Sequence, residues 1–99
     1  MILVRDVFQL KFGKAKEAKE LAREGAALEK KLGYGVSRYL TDLTGEYYTL
    51  VMESTYENLA AFEKALKEIL NAEEFNRWYQ KFVPLVESGR REIFTIVDQ

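Results

Sequence analysis

Ninety-nine residues, 47% apolar and 31% charged with a net charge of −1, describe one modest globular domain over residues 1–99, able to bury about 65% of the surface its unfolded chain exposes. With no cysteine and no histidine, zinc fingers, thiolate nucleophiles, Ser–His or Cys–His relays and imidazole haem ligation are excluded, and no cofactor or metal is expected. The balance of 15 basic against 16 acidic groups argues against a nucleic-acid partner, no apolar run reaches the roughly 18 residues a membrane span needs, the start has no signal-peptide character, and a cysteine-free chain points to the cytoplasm.

Residues 2–12 alternate with a period of two and predict a strand. Ile2, Val4, Phe8, Leu10 and Phe12 share one face, interrupted by Asp6; Leu3, Arg5, Val7, Gln9 and Lys11 share the other. Residues 14–32 predict a helix, because Ala18, Leu21, Ala22, Gly25, Leu28 and Leu32 follow the 3.6-residue repeat while Lys and Glu fill what reads as a solvated side. Gly25 falls on the apolar stripe, where close packing on the sheet would compensate its helix cost, and Gly33 reads as the C-terminal stop.

Residues 34–41 and 46–54 predict a hairpin joined through Asp42-Leu43-Thr44-Gly45. Ser54 with Glu57 has capping-box spacing ahead of a second helix, whose stripe is Leu59, Phe62, Leu66, Ile69 and Leu70. Asn71 with Glu74 repeats the signal and predicts a break and restart, followed by the stripe Phe75, Trp78, Tyr79 and Phe82. Pro84 ends that helix, and Ser88-Gly89 turns the chain into a last strand over residues 90–97.

The order strand–helix–strand–strand–helix–strand predicts an α+β ferredoxin-like βαββαβ sandwich: a four-stranded antiparallel sheet in the order 4-1-3-2 with the helices on one face. The other face carries several large apolar groups and calls for a twin copy, so a homodimer through the open sheet face is expected. In element order, length and this half-apolar face the chain resembles the dimeric α/β-barrel superfamily. The opening Phe8-Gln9-Leu10-Lys11-Phe12-Gly13 and the ending Trp78…Pro84-Leu85…Gly89-Arg90-Arg91 are similar to NIPSNAP-type domains. An arginine and a tyrosine often seen in that opening strand are replaced here by Asp6 and Phe8. The resemblance implies relatives that include haem-degrading and quinone-forming monooxygenases, muconolactone isomerases and dehalogenation enzymes; those that ligate haem through histidine have no counterpart here.

Asp6 is the sharpest candidate: either a general base raised by desolvation, or the ion-pair partner of Arg38 or Arg91. Arg38 and Glu53 fit a buried ionic pair at a sheet-to-sheet interface, or a ligand contact, and Asp6 with Glu53 fits a carboxylate pair across neighbouring strands. Tyr39, Tyr47 and Tyr48 fit either pocket walls or ordinary strand packing, while Trp78 and Tyr79 fit either a cavity cap or core. Arg90 and Arg91 fit an anion site or an edge-guarding charge pair. The topology is that of an RNA-recognition module, but Glu46-Tyr47-Tyr48-Thr49 lacks its basic signature. The expectation is a homodimeric binder of an apolar or aromatic small molecule between sheet and helices. The alternatives are cofactor-independent oxygenation or isomerisation using Asp6, Arg38 or Tyr39, and a structural dimer or adaptor.

Overall fold

The computed structural model describes residues 1–32 and 38–98. Four strands, β1 (Ile2–Leu10), β2 (Arg38–Thr41), β3 (Thr49–Tyr56) and β4 (Val86–Thr95), form one sheet in the order β2-β3-β1-β4, with β1 antiparallel to both its neighbours and β2 antiparallel to β3. Helices α1 (Ala15–Lys31), α2 (Leu59–Leu70) and α3 (Glu73–Phe82) cover one face. The element order, the sheet order and the ferredoxin-like fold are those expected from the alternation.

The period of two in β1 divides the sheet. Asp6, Phe8 and Leu10 face the helices opposite Met52 and Leu50 of β3, while Arg5 and Val7 face away opposite Glu53 and Val51. Leu10, Leu50 and Phe82 are almost fully buried and, with Ala18, Ala22, Trp78 and Leu85, make the core. Burial of these apolar groups supplies the main drive to fold, about 25 cal/mol per Å2 removed from water.

α1 and α3 pack closely because of Gly25. A Cβ there would stand 2.7 Å from Cζ2 of Trp78, so the helix dispenses with a side chain where the indole lies against it. The compensation for this glycine is therefore a tryptophan of α3, not the sheet. The Trp78 indole N–H donates to the Leu21 carbonyl at 2.7 Å, which fixes the ring.

Several boundaries differ from the sequence reading. Ser54 does not cap α2; β3 continues to Tyr56 because Tyr56 still pairs with Ile2, and Asn58 caps instead, its Oδ1 accepting from the Ala61 amide at 2.8 Å. Asn71 ends α2 rather than capping α3, which starts two residues later with no side-chain cap. The hairpin loop runs through Tyr48, longer than four residues. Asp42 Oδ1 closes it by accepting from the Thr49 amide at 2.9 Å, and Tyr48 takes φ 59°, so Glu46–Tyr48 cannot continue the strand. Phe12 lies beyond β1, exposed and stacked edge-on against Tyr48. A 3-10 turn at Val83–Leu85, with Pro84 inside it, makes the entry to β4. Gly89 therefore lies within the strand, where its bare Cα lets Phe8 approach: a Cβ would be 3.0 Å from the ring. The Gly33 stop and the beginning of the hairpin, residues 34–37, lie outside the described residues.

Candidate functional site

Between the helix side of the sheet and helices α2 and α3 is a cavity of about 300 Å3. Phe8 and Met52 form its floor, Phe62, Leu66 and Ile69 come from α2, and Phe75, Trp78 and Phe82 come from α3. The aromatic stripe of α3 is thus both core and wall: Trp78 stacks on Phe82 at 5.1 Å, Phe75 stacks on Tyr79 at 6.0 Å, and Phe8 meets Phe82 edge-on at 5.1 Å. Asp6, Phe8, Tyr79, Phe82 and Arg91 also border a more open cleft of about 440 Å3 along β4, adjacent to the cavity. The hollow has the composition of a small-molecule site, apolar walls with a few polar groups on one side.

Those polar groups are Asp6, Ser54 and Arg91 from the sheet and Glu29 from α1, with Tyr56 and Tyr79 also in the lining. Arg91 donates through Nε to Asp6 Oδ1 at 2.7 Å, while its guanidinium lies 5.2 Å over the Phe62 ring. Of the two partners proposed for Asp6, Arg91 is the one found; β4 places it directly opposite in register. Glu29 differs. Burial, and then the neighbouring Asp6 carboxylate, push its carboxyl up to about 7, so an acid and its conjugate base are both present near neutral pH. Tyr39, on the helix face of β2 opposite Met52, is pushed upward by burial and then by Glu29, and remains a phenol. Its hydroxyl is buried without a hydrogen-bond partner among the described residues.

The opposite face carries a different cluster. Glu53 is 1% exposed and accepts from Arg38 Nε at 2.6 Å and Arg5 Nε at 2.8 Å. The arginine side chains lying over it shield it, rather than depth in the core. Hydrogen bonds from Arg38 and then Arg5 hold its carboxyl below the usual carboxylate range. Arg5 also lies 5.2 Å over the Phe94 ring and 4.0 Å from Glu92. A wide depression of about 550 Å3 opens on this face beside the hairpin loop, lined by Gln9, Thr49, Ser88 and Arg90 among others. It is larger than the helix-side cavity but more open and polar, without aromatic walls, and its charged groups are Asp42, Glu46 and Arg90.

The residues singled out from sequence are therefore divided. Asp6 and Tyr39 lie on the helix side with Trp78 and Tyr79, while Arg38 and Glu53 lie on the open side. The carboxylate pair of Asp6 and Glu53 is not formed, since adjacent strands project these two to opposite faces. Tyr48 borders a separate hollow with Phe12 and Leu10, and Tyr47 is exposed. Arg90 and Arg91 do not act as a pair: Arg90 approaches Glu92 at 3.8 Å, and Arg91 reaches Asp6. The charge pattern of α1 reads as a solvated side, but its Glu29 is half-buried in the cavity wall. Ala18, Ala22 and Gly25 are buried, and the 4-3-4 spacing that joins them continues to position 29. A carboxylate in that register was the available signal. Among the described residues no three acidic groups gather as a metal site, and no helix is long and apolar enough to cross a membrane.

The family model described as NIPSNAP matches residues 5–98. A NIPSNAP family protein from Agrobacterium tumefaciens superposes with a TM-score of 0.91 at 18% identity, covering 98% of this chain and 86% of that one. A NIPSNAP-like domain protein from Burkholderia xenovorans gives a TM-score of 0.87 at 21% identity over 97% and 84% of the two chains. A cofactor-independent oxygenase from Streptomyces nogalater gives 0.71 at 16% identity over 99% and 94%. These structural likenesses concern the fold. No curated protein matches the sequence.

Proposed function

The chain belongs to the NIPSNAP family, and we propose that it works as a homodimer that binds an apolar or aromatic small molecule in the helix-side cavity. The observation that carries this reading is the hollow itself: about 300 Å3 walled by Phe8, Phe62, Trp78 and Phe82. Empty space in such a core forfeits dispersion contacts, and an apolar ligand restores them. Dimerisation is supported by the open face, where Val7 and Val51 lie beside the charged row of Arg38, Glu53, Arg5 and Glu92, and Leu40 and Phe94 remain exposed. Arginines and glutamates are both present there, so a two-fold related copy can oppose unlike charges.

A second reading, cofactor-independent oxygenation or isomerisation, is favoured by the two carboxyls of the cavity. One is tied to Arg91 while the other is pushed up to about 7, a division that suits proton transfer.

Native mass spectrometry of freshly purified protein tests the binding reading and the assembly together. The expected spectrum is a dimer carrying a releasable small molecule. A bare monomer, with no quenching of the sole tryptophan, Trp78, by added aromatic compounds, contradicts it.

A further inference from the structure

The polar side of the helix-side cavity restricts what the cavity takes, and the following step rests on the reading that it holds a ligand. Arg91, the basic residue lining the cavity among the described residues, is engaged twice, by Asp6 at 2.7 Å and by the Phe62 ring at 5.2 Å, so its charge is already countered by a carboxylate. The paired Asp6 carboxylate in the same wall cancels that cation's pull on an acidic ligand. Glu29 lines the cavity and forms no ion pair among the described residues. Its charged form is opposed by apolar surroundings and a like charge, whereas its neutral form supplies an O–H donor, and Glu29 has no hydrogen-bond partner among the described residues. We propose that the cavity selects a neutral apolar molecule bearing a hydrogen-bond-accepting oxygen of the carbonyl class, and that the protonated Glu29 carboxyl donates the bond that recognises it.

A buried donor left unpaired is costly, so a ligand that pairs it gains over one of equal shape that does not. The titratable and charged groups around Glu29 and the cavity it lines are Asp6 on β1, Tyr39 on β2, Tyr56 on β3, Arg91 on β4 and Tyr79 on α3, while α2 contributes only apolar residues to the lining. Aspartate, tyrosine and arginine do not ordinarily titrate between about pH 6 and pH 8. Glu29, pushed up to about 7, is the group whose charge changes in that window, and carbonyl binding requires its acid form.

The experiment compares four naphthalene probes of nearly one shape by quenching of Trp78: 2-acetylnaphthalene, its alkene isostere 2-isopropenylnaphthalene, the anion 2-naphthoate and the cation 1-(2-naphthyl)ethylammonium. The ketone should bind tightest, and about tenfold more tightly near pH 6 than near pH 8, following the protonated fraction. The alkene should show no such dependence. Glu29→Gln, which keeps a neutral donor, should retain the preference for ketone over alkene and lose the pH dependence; Glu29→Leu should lose both. Equal, pH-independent binding of ketone and alkene overturns the assignment of Glu29 and leaves the cavity as a plain apolar site. Tighter binding of the cation or the anion overturns the carbonyl class. If none of the four binds, the ligand-binding reading falls as well.

Discussion

On the open face of the sheet Glu53 is held by two guanidinium groups, at 2.6 and 2.8 Å. On the helix face Glu29 enters an apolar cavity where its charged neighbour is another carboxylate. The first arrangement satisfies every strong acceptor and serves the integrity of the sheet. Among the described residues the second leaves an acid without a counter-charge and a tyrosine hydroxyl without a partner, at some expense of stability, and unsatisfied polar groups beside a hollow support the proposed binding site. On the proposed reading, chemistry belongs to the helix side and cohesion to the open side, although each face holds an acidic group at least half withdrawn from water.

The sharpest way to break this contrast is to close the helix side. Gly25→Val drives a side chain into Trp78, whose ring already stands 2.7 Å from where a Cβ would be. We expect a loss of about 3 kcal/mol in urea unfolding, together with a shifted Trp78 emission and loss of aromatic-probe binding; the open face should be unaffected.

Glu53→Ala on the open face should cost about 2 kcal/mol near neutral pH, because two arginines lose their shared acceptor. Since the folded-state carboxyl lies below its unfolded value of 4.5, this contribution is present above that pH and is lost as pH falls through the folded value. Wild type and variant should therefore converge in acid.

Glu29→Gln should act in the opposite direction. Its folded value of about 7 lies above the unfolded 4.5, so its stabilising contribution is complete below 4.5 and disappears as pH rises through 7. The amide should leave stability unchanged in acid and raise it by about 1–2 kcal/mol near pH 8, solvent screening of a half-buried group having reduced the full linkage. Tyr39→Phe is the smallest test: removal of an unpartnered buried hydroxyl should gain up to about 1 kcal/mol in thermal unfolding.

Much of this architecture was legible in the residues. The switch from a period of two to 3.6 and back located each strand and helix, and it also isolated Asp6 as a carboxylate on an apolar face. The pairing of Glu53 with Arg38 was readable because both lie mid-strand in one hairpin. Loop closure was less legible, since Asp42 and Thr49 end the hairpin through a side-chain bond that local turn propensity does not show. The role of Glu29 was hidden among the lysines and glutamates of α1. Whether such a residue faces water depends on how the helix is rotated, and that is set by the fit of Gly25 against Trp78 more than fifty residues away.

The most direct test of the two-sided account is carbon-detected NMR titration of the side-chain carboxyls in one sample. Glu29 should titrate near 7 and Glu53 below the usual glutamate range. Both resonances moving together near 4.5 would contradict it.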